Sequence, residues 1–172
     1  MHISAFNIAV ACAVTLTVPE RAATAQPLKD SAYFCTTEFQ AGLVYDPSIK
    51  GWRSGLFKPQ RKFILQVKYS GQKEDKAPVV AGDPAMTFYH YYLTLTEPGT
   101  DFRDPCFDFR SGVPTIATGE GLYFRCDVSG MNYKFNLRTN RFLGAYLEGY
   151  IDGKDNNDDT PFVFGGTCSK LE

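Results

Sequence analysis

Histidine and tryptophan are scarce in this chain of 172 residues, which contains two histidines and one tryptophan. Neither charge is in excess, since 18 lysines and arginines stand against 19 acidic residues and the formal net charge is -1. This balance argues against a dedicated nucleic-acid-binding protein, whose binding surface is usually strongly basic. The charged fraction of 22% is too low, and the aromatic fraction of 15% too high, for intrinsic disorder. We therefore predict a folded protein that does not bind nucleic acid.

The motifs of common catalytic sites are also absent. The chain has no Cys-x-x-Cys pair, no Gly-x-Ser-x-Gly turn, no His-Glu-x-x-His helix and no phosphate-binding glycine loop. His90 is the only histidine after residue 25, so a histidine-activated nucleophile has a single candidate base. We assign no catalytic residue and no cofactor. A carboxylate-based hydrolase stays open as an alternative, because a pair of acidic residues needs no local motif.

Long hydrophobic runs are confined to the N-terminus. The apolar run from Ile3 to Val18 is shorter than the roughly 20 residues that span a bilayer. Pro19 and the small-x-small pattern Ala23-Thr24-Ala25 follow it, as in secretory signal peptides. We predict a signal peptide over residues 1–25 and a single β domain over residues 26–172. The expected location is periplasmic or secreted, with no membrane span.

Cleavage of this segment leaves four of the five cysteines: Cys35, Cys106, Cys126 and Cys168. An even number of cysteines in an exported chain predicts structural disulfides. The sequence leaves all three pairings open. We favour Cys35 with Cys168 and Cys106 with Cys126, because a meander that closes on itself brings its first and last strands together.

Apolar and polar residues alternate with a period of two over residues 63–69, 89–95, 124–128 and 133–137, which is typical of half-buried strands. Glycine, proline, asparagine and aspartate separate the runs at hairpin-like intervals. We predict strands near residues 33–39, 42–46, 61–69, 86–96, 122–128, 131–137, 141–151 and 161–168, with shorter ones near 53–57 and 113–118.

Two segments are less regular. Residues 141–151 have apolar side chains on both faces, which fits either a fully buried strand or the one helix candidate. Residues 70–85 are polar and contain glycine and proline, so we expect a loop. The whole pattern predicts an all-β fold, a small antiparallel β-barrel or sandwich of about eight strands that is stapled by disulfides.

The segment between Lys50 and Lys73 contains basic residues and no acidic ones. Aromatic residues are interleaved with them, as on a surface that binds an anionic envelope polymer or a phosphate-bearing ligand. We favour the other interpretation, the solvent-exposed side of an edge region, where lysine prevents strand pairing between molecules. If the segment is a binding surface, the candidate binding residues are Lys58, Arg61 and Trp52.

Acidic and carboxamide side chains are concentrated in residues 152–159. Such oxygen ligands suit Ca²⁺, and the candidate metal ligands are Asp152, Asp155, Asp158 and Asp159. The spacing does not fit a calcium-binding EF-hand loop in either register, since a lysine or a threonine falls where a ligand or glycine is required. The alternative is a solvated loop that is held by Asx turns.

Several segments together resemble a group of small secreted proteins of alphaproteobacteria to which no activity is attached. The resemblance implies export and a single domain and supplies no mechanism. The segments that carry it are Cys35 with Gly42-Leu43-Val44-Tyr45-Asp46 and Trp52, Lys62-Phe63, Tyr133-Lys134-Phe135-Asn136, Thr139-Asn140-Arg141-Phe142, and residues 152–161 and 165–168.

The segment Ser129-Gly130-Met131-Asn132-Tyr133 is similar to a second family, the periplasmic inhibitors of c-type lysozyme. Members of that family are small disulfide-bonded β-barrels that place a Ser-Gly-x-x-Tyr loop in the lysozyme cleft. The tryptophan-rich segment that follows the loop in that family is absent here, since Trp52 is the only tryptophan. The resemblance implies that Ser129 and Tyr133 are candidate binding residues.

These observations favour an exported, non-enzymatic protein that binds a ligand, a glycan or an envelope protein, and that is a monomer. The alternatives are a lysozyme-type inhibitor, a carboxylate-based hydrolase and a structural component of the envelope. A binding protein should have a cavity lined by aromatic side chains and a few convergent polar groups. A hydrolase should bring two carboxylates together in a cleft.

Overall fold

The computed structural model describes residues 28–75, 86–101, 103–107, 115–118 and 123–172. The predicted signal peptide of residues 1–25 lies outside these ranges, as do residues 76–85 of the expected loop. Within the described part of the chain, no helix is long and apolar enough to cross a membrane.

One antiparallel sheet contains all ten strands of the described residues. The strands are β1 (Ser31–Asp46), β2 (Gly51–Phe57), β3 (Lys62–Asp75), β4 (Met86–Thr96), β5 (Arg103–Pro105), β6 (Thr115–Thr118), β7 (Tyr123–Val128), β8 (Met131–Asn136), β9 (Arg141–Tyr146) and β10 (Phe162–Leu171). Their order in the sheet is β5-β4-β3-β1-β10-β9-β8-β7, with β2 paired to β1 and β6 paired to β4. The prediction of an all-β fold is confirmed.

Strand β1 is a single long strand, whereas the sequence predicted two, over residues 33–39 and 42–46. Strand β10 pairs along one edge of it, so β3 and β2 share the other edge, with β3 beside the first half and β2 beside the second. A register shift between Thr37 and Phe39 separates the two halves. Gly42 does not end the strand, because its missing side chain leaves room for the carbonyl of Pro161, which accepts a hydrogen bond from the Leu43 amide at 3.0 Å.

Aromatic rings fill the inner face of the sheet. Phe63 packs edge-on against Tyr133 and Phe142, with ring centroids 5.6 Å and 5.1 Å apart. Phe164 is 1% exposed and lies 5.4 Å from Tyr133, and a side chain at Gly144 would collide with the Phe164 ring. Each such ring pair contributes roughly 0.5–1.5 kcal/mol beyond the area it buries. The alternating aromatic residues of the sequence are therefore the core of the domain.

The structure pairs Cys35 with Cys168 and Cys106 with Cys126, as the sequence analysis favoured. Cys35 and Cys168 face each other across neighbouring strands, β1 and β10. Cys106 directly follows the edge strand β5, and Cys126 lies in the opposite edge strand β7. The second disulfide therefore joins the two edges of the sheet, which must curl round to meet.

In the described residues, a short backbone pairing accompanies that disulfide at the seam between the edges. Phe107 and Asp127 exchange two backbone hydrogen bonds of 3.1 Å and 3.2 Å, an isolated bridge between the two sides. Strand pairing does not continue beyond this bridge in the described residues, so the sheet is curled but not closed into a barrel.

Three segments differ from the predictions. Residues 141–151 are neither one strand nor a helix, because β9 ends at Tyr146 and a short 3-10 helix follows at Tyr150–Asp152. Gly149 lies between them with a positive φ of 87°, packed so closely on the Asp159 carbonyl that only glycine fits. The expected loop over residues 70–85 begins later, since β3 continues to Asp75 beyond an irregularity between Tyr69 and Gly71. The sequence analysis missed β5, which has only three residues.

Candidate functional site

Three adjoining cavities lie at one end of the curled sheet, where β4 and β7 end and β3, β8 and β10 begin. The Arg61 cavity, of about 180 Å³, is lined mainly by Arg61, Lys62, Leu95, Glu97, Asp104, Ser129, Met131 and Tyr133. The basic cavity, of about 700 Å³, includes Phe57, Lys58, Arg61, Lys62, Glu97 and Phe162. The acidic cavity, of about 450 Å³, includes Asp104, Phe107, Asp127, Val128, Ser129, Met131 and Glu148. Shared lining residues show that the Arg61 cavity lies between the other two.

Arg61 immediately precedes β3 and is half-buried between the Arg61 cavity and the core. Its Nη1 group donates to the Tyr133 hydroxyl at 3.0 Å and contacts the Met131 sulfur at 2.7 Å. The guanidinium carbon lies 5.6 Å from the centre of the Phe164 ring, within the range of a cation–π contact. These contacts hold the side chain from the Nη1 side. Its Nε and Nη2 groups have no hydrogen-bond partner, and no carboxylate lies within 4 Å, among the described residues.

Tyr133 forms part of the inner wall of the cavity. Its side chain is 3% exposed, and this burial raises the pKa of the phenol above its usual value. The Arg61 charge and hydrogen bond oppose that increase, while the negative charges of Asp104 and Glu97 add to it. The phenol is therefore neutral at physiological pH and is available as a fixed hydrogen-bonding group beside the guanidinium.

Two carboxylates line the Arg61 cavity together with the basic residues. Asp104 comes from β5, and its Oδ2 atom accepts a hydrogen bond of 3.3 Å from the Ser129 hydroxyl. Glu97 directly follows β4 and is exposed. Neither forms an ion pair with Arg61 or Lys62, since the ion pairs among the described residues are Arg53–Asp46 and Lys154–Asp152. The cavity therefore brings charges of both signs together without neutralising them.

The turn Ser129-Gly130 connects β7 to β8 at the rim. Both residues have positive φ, 48° and 75°, as in the two-residue hairpin turns that match the twist of antiparallel strands. Ser129 is exposed at the tip, whereas Tyr133 is buried on the inner face. The two residues line the same cavity, but they do not form one exposed loop.

The basic segment of the sequence is divided by the fold. Lys58 and Arg61 line the basic cavity together. Trp52 lies elsewhere, with its ring 5.6 Å from Tyr45 and 5.5 Å from Tyr150, and its Nε1 group donates to Asp155 at 3.0 Å. Trp52 therefore holds the aspartate-rich loop of residues 152–159 and does not line these cavities.

The candidate metal ligands are dispersed over that loop. Asp152 accepts from the Lys154 amide at 2.8 Å, Asp155 accepts from Trp52, and Asp159 accepts from the Tyr146 hydroxyl. The hydrogen bond to Asp159 raises the pKa of Tyr146 to about 12, with smaller contributions from burial and nearby negative charge.

The rest of the loop is held by carboxamides. Asn157 pairs with both backbone groups of Tyr45, at 2.7 Å and 2.9 Å, and the Asp158 amide donates to Asn156. In the described ranges, no group of three or more histidine, cysteine, aspartate or glutamate residues is placed to hold a metal ion. The geometry is that of a loop held by Asx turns, the alternative that the sequence left open.

Sequence reasoning identified Arg61, Lys58, Ser129 and Tyr133, and the structure brings all four to adjoining cavities. Glu97, Asp104 and Met131 were missed, because each lies in a different strand region and no local motif connects them. No family model, curated protein or solved structure matches the chain.

Proposed function

We propose that this chain is an exported binding protein that holds a small ligand with an anionic group in the Arg61 cavity. The observation that carries the proposal is the guanidinium of Arg61, which is half-buried and held on one side only, with Nε and Nη2 unpartnered among the described residues. A partly desolvated cation without a counter-charge is costly, and a carboxylate that accepts two parallel hydrogen bonds from it removes that cost.

The surroundings of Arg61 support the same interpretation. Tyr133 and Phe164 restrict the side chain, so little conformational entropy is lost when a ligand binds. Lys58 and Lys62 add positive charge in the adjoining basic cavity, and this charge increases the rate at which an anion associates. Apolar side chains of Leu95 and Met131 complete the wall, as in small-molecule sites.

Export rests on the predicted signal peptide over residues 1–25 and on the two disulfides, which persist in oxidising compartments. Ligand binding by a monomer is the role that we propose there. A lysozyme-type inhibitor fits less well, because Tyr133 is 3% exposed and does not reach a partner surface together with Ser129. Residual lysozyme activity at equimolar protein tests that alternative directly.

The test of the binding function is native mass spectrometry of protein purified from the source envelope. We expect a retained small molecule on the unaltered protein and on the control variant Arg53→Gln, and none on Arg61→Gln. Arg53 is a suitable control because it is exposed and its ion-pair partner among the described residues is Asp46, and such a surface pair contributes little. Absence of any retained molecule, or equal retention by Arg61→Gln, contradicts the proposal.

A carboxylate-based hydrolase is the second candidate, and the observation in its favour is that Glu97 and Asp104 line one cavity. Two such groups are able to act as acid and base in glycoside hydrolysis. A panel of chromogenic glycosides tests it with the isosteric variants Glu97→Gln and Asp104→Asn. Turnover that both variants lose supports the hydrolase, and the absence of turnover by the unaltered protein rejects it.

A further inference from the structure

The charges around the three cavities change sign from one end to the other. The basic cavity has three cationic side chains, Lys58, Arg61 and Lys62, and one carboxylate, Glu97. Among the described residues, the acidic cavity is lined by three carboxylates and by no basic side chain; the three are Asp104, Asp127 and Glu148. The Arg61 cavity lies between them and shares residues with both. A ligand that extends along the three cavities therefore meets positive charge at one end and negative charge at the other.

The opposite charges do not neutralise one another. No ion pair joins the basic and acidic groups of the cavities within the described part of the chain, although the cavities adjoin and share lining residues. Instead, Asp104 is held by Ser129, and Asp127 accepts a hydrogen bond of 2.6 Å from Asn132. Local hydrogen bonds thus orient the carboxylates of Asp104 and Asp127, and a hydrogen bond to Tyr133 orients Arg61.

Apolar side chains lie among these charges. Leu95, Val128 and Met131 line the Arg61 cavity together with its charged residues, and Phe107 lines the acidic cavity. A cavity that combines charges of both signs with apolar walls matches a molecule that carries an apolar group, an anion and a cation. Free amino acids and short peptides with apolar side chains have this chemistry.

We infer that the ligand is a short peptide-like zwitterion, whose carboxylate binds at Arg61 and whose ammonium group binds at Asp104 and Asp127. The inference rests on the proposed function and names the chemical class of its ligand. The Nε and Nη2 groups of Arg61 form the planar edge that a carboxylate matches. Carboxylate oxygens that are already oriented by hydrogen bonds suit an ammonium group, which has donors only.

Calorimetric titration of the full oxidised chain with four related probes tests the inference. The probes are leucine, leucyl-leucine, N-acetyl-leucine, which lacks the cation, and leucinamide, which lacks the anion. We expect leucine or leucyl-leucine to bind at least about tenfold more tightly than either blocked probe, because each lost charge removes a charge-assisted hydrogen bond.

Two variants should separate the ends of the ligand. In Asp104→Asn the preference for leucine over N-acetyl-leucine should fall, while the preference over leucinamide is kept. In Arg61→Gln the pattern should be the reverse. The controls Asp155→Asn and Arg53→Gln change the same groups outside the three cavities and should leave both preferences unchanged. Urea unfolding of each variant verifies that it is folded.

The outcomes distinguish the inference from the proposed function. Equal affinity for leucine and N-acetyl-leucine overturns the zwitterion and leaves an anion-binding protein. Binding of none of the probes also overturns it, and the retained mass in native mass spectrometry then decides whether the binding function stands.

Discussion

The two disulfides should have different effects on stability and on the seam, and the contrast follows from their positions. Cys35 and Cys168 are 133 residues apart in sequence, whereas Cys106 and Cys126 are 20 apart. The loop-entropy relation then gives about 5 kcal/mol of stabilisation for the longer loop and about 3.3 kcal/mol for the shorter, a difference of about 1.7 kcal/mol. Removing Cys35–Cys168 should therefore lower the free energy of unfolding more.

The effect on the seam should follow the opposite order. Backbone pairing joins β1 and β10 over ten residue pairs, so this pairing should remain when the Cys35–Cys168 disulfide is removed. At the seam, the Phe107–Asp127 bridge is the pairing that stays beside the Cys106–Cys126 bond in the described residues. Loss of the seam disulfide should open this bridge and widen the Arg61 and acidic cavities, whose lining residues come from both sides of it.

The assay compares the paired variants Cys35→Ala/Cys168→Ala and Cys106→Ala/Cys126→Ala. All four cysteines are buried, so the two pairs leave comparable voids and the loop lengths dominate the difference. Urea unfolding gives the stabilities, and hydrogen exchange measures protection of the Phe107 and Asp127 amides. A larger loss of stability for the seam pair, or full protection of these amides without the seam disulfide, would refute the reasoning.

Three further predictions concern stability. The Thr96 and Thr37 hydroxyls are buried without a hydrogen-bond partner among the described residues, so Thr96→Val and Thr37→Val should each raise the free energy of unfolding in urea by about 1 kcal/mol; a loss of that size would reveal an unseen partner. Gly144→Ala should lower it by about 1–3 kcal/mol, because the new methyl group collides with a buried ring; an unchanged midpoint would contradict this packing. The pKa of Tyr146 is raised to about 12, so its hydrogen bond to Asp159 stabilises the fold fully below the usual phenol pKa and is lost as the pH rises through 12. Unaltered protein should therefore lose more stability between pH 10 and 12 than Tyr146→Phe, and identical pH profiles would exclude the effect.

The positions of most strands were predictable because alternation of apolar and polar side chains is a property of neighbouring residues. Alternation identified β3, β4, β7 and β8, and the turn residues separated them. The failures occurred where distant contacts decided the local structure. The strand predicted to continue to residue 151 stops at Tyr146, and the chain turns at Gly149. Gly149 packs on the Asp159 carbonyl, a contact that no local pattern shows. β5 is too short for alternation and exists through its pairing with β4.

The candidate site was predictable only in part. Arg61 and Lys58 were identified from charge, but the same reasoning included Trp52, which packs on Tyr45 and Tyr150 instead. The three residues are close in sequence, yet β2 pairs with the second half of β1 and β3 pairs with the first half. The side chain of Trp52 is therefore directed to a different part of the molecule from those of Lys58 and Arg61, which line one cavity.

The sequence by itself determined the strand-forming segments, the aromatic core and the supply of cysteines, since alternation and side-chain chemistry act over a few residues. Only the tertiary structure decided that Arg61 meets Tyr133, 72 residues away, and that Glu97 and Asp104 line the same cavity. The physical reason is that the curl of the sheet and the pairing of its edges depend on long-range register and packing, which the local pattern does not encode.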